Sequence, residues 1–215
     1  LLFASPHSGT LYPADLRDRL RLPLMNLRRT EDAFVNELFD AAPAHGATFI
    51  HATYARSYVD LNRDARELDA GMFSDGVPRT AGLPGTRVKA GLGCLPKVAS
   101  TGEVFYSSKL TQAEGETRLA HIHDTYHRAL KQELAQFEGD WPERILIACH
   151  SMTSLQPGRP RLPDIVLGDR FGSSCSTRLT NFVERYFRKV GFSVARNAPY
   201  AGGYITRTYG RPKRG

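Results

Sequence analysis

Arg144-Ile145-Leu146-Ile147-Ala148-Cys149-His150-Ser151-Met152 is the stretch that decides the fold. The apolar run 145–149 is too short for a typical helix and reads as a strand covered on both faces. A histidine follows it directly. Open α/β sheets place their chemistry at the carboxyl ends of strands, which makes His150 a candidate functional residue. The start of the chain repeats the pattern, with Leu1-Leu2-Phe3-Ala4-Ser5 running into Pro6-His7-Ser8-Gly9. Two strand-end histidines far apart in sequence can meet at one rim of a sheet. Converging imidazoles point to a metal ion.

Outward from these two runs, residues 48–54, 164–167, 192–196 and 203–206 also read as strands. Helical patterns separate them. One is expected over 31–44, with Thr30 as N-cap and Phe34, Leu38 and Ala41 on one face. A second begins at Thr111-Gln112-Ala113-Glu114, a capping-box spelling. Its apolar stripe is Leu119, Ile122, Tyr126, Leu130, Leu134 and Phe137. A third spans 176–190 and stops at Gly191. Strands alternating with helices predict an α/β fold with a mixed, mostly parallel sheet flanked by helices. We read residues 1–215 as a single domain. The stretch 71–96 is rich in Gly and Pro and reads as an irregular loop or flap.

Composition narrows the class. At 215 residues, 41% hydrophobic and 24% charged, the chain suits one soluble α/β domain. No apolar run approaches the roughly 20 residues that cross a bilayer, and no signal peptide is visible. The chain does not begin with Met, so its start is read as trimmed. Cys94, Cys149 and Cys175 are odd in number and widely spaced, which fits a reducing cytoplasm rather than a disulfide framework. The net charge of +7 is local, because eight basic side chains and no acid follow Glu184. The remainder is close to neutral, so nucleic-acid binding by the basic end is the rival, non-enzymatic reading. The abrupt basic ending is read as a truncation.

A catalytic zinc takes three protein ligands and leaves one position for water. Glu31 and Asp32 are candidates to join His7 and His150, and helical spacing alone does not choose between them. Arg56-Ser57-Tyr58-Val59-Asp60-Leu61-Asn62-Arg63 follows a strand and is dense in anion binders. Arg56 and Arg63 can grip carboxylates in bidentate fashion, Asn62 adds a directional hydrogen bond, and Asp60 would orient an arginine or a histidine. His123 and His127 have the spacing zincins use, but Asp124 stands where those enzymes need Glu. A solvated or hydrogen-bonded helix face is the better reading there. Ser151 lacks a Gly-x-Ser-x-Gly elbow, and no phosphate-binding glycine motif opens a helix.

Five segments together carry a family resemblance: Pro6-His7-Ser8-Gly9, the 56–63 stretch, Cys149-His150-Ser151-Met152, Asp164-Ile165-Val166-Leu167-Gly168-Asp169-Arg170, and Asn197-Ala198-Pro199-Tyr200-Ala201-Gly202-Gly203-Tyr204. In this order they resemble the N-formylglutamate amidohydrolase family, which is related to zinc carboxypeptidases and aspartoacylases. The resemblance implies a zinc-carboxypeptidase-like fold and one Zn2+ per chain. It also implies hydrolysis of N-formyl-L-glutamate to formate and glutamate in histidine breakdown, or action on another N-acyl amino acid or peptide end. His7 and His150 match the metal histidines, and Asp32 matches the metal acid best, with Glu31 the near alternative. Carboxypeptidase-like relatives carry that acid three residues after the first histidine, where this chain has Thr10. Asn62 and Arg63 resemble the pair that holds substrate carboxylate, with Arg56 assisting. A late glutamate serves such hydrolases as general base. With no acid after Glu184, that base is expected beyond Gly215.

Overall fold

Two strands near the start of the chain pair in parallel and set the rim from which the candidate site is built. A computed structural model describes residues 1–99, 101–136, 144–154 and 161–212. It divides into two compact units, Leu1–Gly139 with Ile147–His150, and Asp140–Leu146 with Ser151–Gly215.

β1 (Leu2–Ser5) lies between β2 (Thr48–His51) and β3 (Leu146–Ala148), which belongs to the first unit from Ile147 onward. β1 and β2 run parallel, with Leu2 opposite Thr48 and Ser5 opposite His51. Parallel pairing brings both carboxyl ends to one rim, so the loops after β1 and β2 leave side by side. Cys149, just past β3, donates its backbone N–H to the Ala4 carbonyl at 2.7 Å, which sets His150 beside the end of β1. Leu2 and Ala4 are fully buried, and α6 (Asp124–Gln136) packs against β1 and β2.

Four helices of a turn or little more punctuate the loops: α1 (Ala14–Arg17), α2 (Leu24–Arg28), α3 (Val35–Leu38) and α4 (Thr86–Lys89). The long helical run starts with α5 (Gln112–Arg118), passes through a π-helical turn at Leu119–His123 and continues as α6. The capping box is present in full: the Thr111 hydroxyl accepts from the Glu114 N–H, and the Glu114 carboxylate accepts from the Thr111 N–H. Of the expected stripe, Leu119, Tyr126 and Leu130 are buried, and Phe137 lies outside the described residues. The stretch 71–96 is irregular apart from α4 and the end of a 3-10 turn at Ala70–Met72. Met72, Phe73, Val88, Cys94 and Leu95 within it are buried.

The second unit pairs β4 (Ile165–Leu167) with β5 (Val194–Arg196) in parallel, and α7 (Thr177–Lys189) packs on both. Ser176 caps α7 by accepting from the Leu179 N–H, and Gly191 ends it at φ 99°.

Two expected elements are different in the structure. The helix over 31–44 is broken. The Thr30 hydroxyl donates to the Leu27 carbonyl and closes α2 instead of opening a new helix, and Asp32 sends its N–H to the His7 carbonyl at 3.0 Å. Phe34 then turns left-handed at φ 63°, leaving only the single turn α3 and a 3-10 turn at Ala42–His45. A tertiary bond to the loop after β1 outweighs the local helical pattern here. The strand expected over 203–206 is instead the start of α8 (Tyr204–Tyr209), in which Ile205 is fully buried. Burial of that side chain overrides the β preference of Tyr-Ile-Thr. No helix of the described residues is long and apolar enough to cross a membrane.

Candidate metal centre

The turn after β1 is built to let the backbone pass close to its neighbour. A Cβ on Gly9 would sit 2.1 Å from the Tyr54 carbonyl oxygen, inside any permissible contact. Leu11 then bonds the Thr53 carbonyl at 3.0 Å, and the Ser5 hydroxyl donates to that of Ser8 at 2.8 Å. Gly9→Ala must therefore move one of two bonded segments. We expect a loss of about 1–3 kcal/mol, read as a lower denaturant midpoint at unchanged slope.

His7, held in this turn, is 4% exposed. Its Nε2 donates to Asp60 Oδ1 at 2.7 Å, because an ionised carboxylate can only accept. In the neutral ring Nδ1 then carries a lone pair. That atom is buried, has no hydrogen-bond partner among the described residues and stands 3.5 Å from Asp32 Oδ2. A lone pair facing a carboxylate oxygen suits a cation held between them. His150 completes the group, with Nδ1 2.7 Å from the same Asp32 oxygen and a ring centroid 4.8 Å from that of His7. One donor atom from each of His7, Asp32 and His150 lies within 4.8 Å of the others. Donors bound tetrahedrally to one zinc ion lie roughly 3.4 Å apart, so the residues present fit such an ion.

The electrostatics favour the forms a cation needs. Burial works against a charged Asp32, yet the imidazoles of His150 and His7 hold its carboxyl below the ordinary carboxylate range. Burial also works against Asp60, and His7, Arg56 and Arg63 hold it well below that range. Desolvation pulls the His150 imidazole down, against the opposing pull of Asp32, which favours the neutral ring that metals bind.

Asp60 is the hub of the 56–63 loop. Oδ1 accepts from His7 and from the Asn62 N–H at 2.9 Å, and Oδ2 accepts from Arg56 Nε at 3.1 Å with Arg63 Nε 3.9 Å away. The sequence left Asp60 to orient an arginine or a histidine; the structure has it contact both. Asn62 is buried, and its Nδ2 lies 3.2 Å from His150 Nε2. Arg63 is buried and donates from Nε to the Leu92 carbonyl, and Arg56 is part exposed. Thus His7, Asp32, Asp60, Asn62 and His150 form one bonded group, with Arg56 and Arg63 on its Asp60 side. Glu31 does not join it. Its carboxylate accepts from the Tyr12 hydroxyl at 2.6 Å and from Arg28 Nε at 3.3 Å.

This constellation sits in a chain matched from residue 1 to residue 215 by the family model for N-formylglutamate amidohydrolase. The chain belongs to the N-formylglutamate amidohydrolase family. It is 31% identical to an N-formylglutamate deformylase of Pseudomonas aeruginosa, over 99% of this chain and 76% of that protein. A deformylase of the same name from Pseudomonas putida is 30% identical over 99% and 75% of the respective chains. Among solved structures, N-formylglutamate amidohydrolase from Ralstonia eutropha superposes with a TM-score of 0.86 at 34% identity, covering 99% of this chain and 77% of that one.

In this member of the amidohydrolase family, sequence reasoning missed several supports of the centre. Asp60 takes a bond from its own N–H to the Cys94 carbonyl at 2.8 Å, so the end of the 71–96 stretch holds the loop from behind. His123 and His127 are buried and bond backbone carbonyls of that loop, so the hydrogen-bonded alternative holds and the solvated one does not. No pattern in the sequence linked residues 92–94 or 123–127 to the 60–63 loop. Of the late acids, Glu184 is paired with Arg188 and Arg196 within the second unit.

Proposed function

We propose that this protein hydrolyses N-formyl-L-glutamate to formate and L-glutamate as a zinc-dependent amidohydrolase, with one ion held by His7, Asp32 and His150. The observation that carries this reading is the buried His7 Nδ1, unbonded and facing Asp32 Oδ2 with His150 alongside. Names of relatives about 30% identical across this whole chain support the substrate. When bound, zinc supplies Lewis acidity toward the formyl carbonyl and the attacking water.

The remaining work falls to the chain. Arg63 and Arg56 bind the glutamate carboxylates, and Asn62 aligns the substrate beside His150. Asp60 keeps His7 in the tautomer whose Nδ1 is free to ligate and holds both arginines toward the same side. Fixing the substrate at both ends converts binding into orientation of the formyl group. The free thiols Cys94, Cys149 and Cys175 fit a cytoplasmic setting.

Elemental analysis of the native protein, paired with a formate-release assay, tests this directly. About one zinc per chain with turnover supports it; a metal-free protein of full activity would overturn the zinc assignment. Arg63→Ala separates substrate binding from metal binding. We expect kcat/KM to fall about 10- to 150-fold, the worth of a charge-assisted bond, at unchanged zinc content. Unaltered kinetics would remove Arg63 from the substrate site.

A further inference from the structure

The family activity does not assign a role to the two histidines of the long helical run. His123 closes the π-helical turn and His127 lies one turn on, with ring centroids 4.3 Å apart and residue exposures of 3% and 5%. Helical π turns recur at functional sites. His123 Nε2 lies 3.0 Å from the Arg63 carbonyl, and His127 Nε2 lies 2.9 Å from the Leu61 carbonyl. A carbonyl only accepts, so each Nε2 is the donor. Burial, with a smaller push from His123, takes the His127 imidazole down to about 3, so it serves as a neutral donor.

The Leu61 carbonyl lies in the peptide unit that leads into Asn62 and the Arg63 carbonyl in the unit that leaves Arg63, so the two bracket the Asn62-Arg63 pair. Fixing both restrains the backbone before Asn62 and after Arg63, and the Asn62 side chain reaches His150. We propose that His123 and His127 are positioning residues: together they clamp the Leu61 and Arg63 carbonyls and so aim Asn62 and Arg63 at the substrate. The substrate part of this inference rests on the deformylase reading above. The clamp itself does not.

The test replaces each histidine in the native protein by Leu, which removes the donor, and by Gln, which keeps one. Three quantities are read: kcat/KM for N-formyl-L-glutamate, zinc content, and hydrogen exchange of the amides of Asp60, Asn62 and Arg63. In the structure those amides bond the Cys94 carbonyl, Asp60 Oδ1 and the Asp60 carbonyl. Leucine variants are expected to lose about 10- to 100-fold in kcat/KM at parental zinc content, the usual scale for a displaced binding group. Their loop amides should exchange at least about tenfold faster. Glutamine variants should recover both to within about threefold. Leucine variants that fold and keep parental loop protection would overturn the clamp. So would glutamine variants that fold at parental Tm yet lose turnover and protection, and this arm decides the matter if the leucine variants do not fold. If the parent releases no formate, the substrate reading falls and the exchange arm still judges the clamp.

Discussion

His150→Ala is expected to yield a folded protein without bound zinc, with release of formate reduced by at least about 10³-fold, or roughly 4 kcal/mol of transition-state stabilisation. The histidine supplies one of three converging donors, and the other two cannot close a three-ligand site alone. Its side chain is a third exposed, at 33%, and its ring makes a tilted contact with that of His7. Removing it therefore costs little packing, and Tm without metal should stay within a few degrees of the parent's metal-free form. Loss of metal at near-constant apo stability distinguishes a ligand from a structural residue. A variant retaining a full zinc equivalent would refute the assignment.

Asp60→Ala should be the most damaging change to the fold of the centre. The carboxylate is 2% exposed and answers His7, the Asn62 N–H and Arg56, with Arg63 close by. Removing it strands buried donors and leaves positive charge uncompensated, at a cost of about 3–5 kcal/mol. For a chain of this size that lowers Tm by about 10 °C or more. The loss has a defined pH dependence. Because the folded-state carboxyl is held below its ordinary range, its contribution is complete above the unfolded value near 4 and fades as pH falls through the folded one. The Tm gap between parent and variant should therefore be full at pH 7 and shrink toward pH 3. A gap that grows on acidification would show that Asp60 is not stabilised as the ionised form.

Much of this is legible in the sequence. Apolar runs ending in histidine located β1, β3 and the pair His7 and His150, because a buried strand leaves a compositional trace and a strand end leaves a polar one. The capping-box spelling at Thr111 and the stop at Gly191 located two long helices, since such end signals are read over a few consecutive residues. What stayed hidden depends on contacts between distant segments. The broken helix after Thr30 follows from a bond between Asp32 and His7, and nothing within residues 31–44 announces it. The choice of Asp32 over Glu31 turns on Tyr12 and Arg28 drawing the glutamate aside. The supports from His123, His127 and Cys94 are bonds to backbone carbonyls or from a backbone N–H, and such partners carry no side-chain signature.

The bond from His150 to Asp32 spans 118 positions, and that from His7 to Asp60 spans 53. Contacts so remote along the chain form late, after the entropy of closing long loops has been overcome. A nascent polypeptide still on the ribosome holds an incomplete donor set until His150 has been synthesised. On the proposed reading, capture of the ion by all three ligands would wait until residues 1–150 have been synthesised.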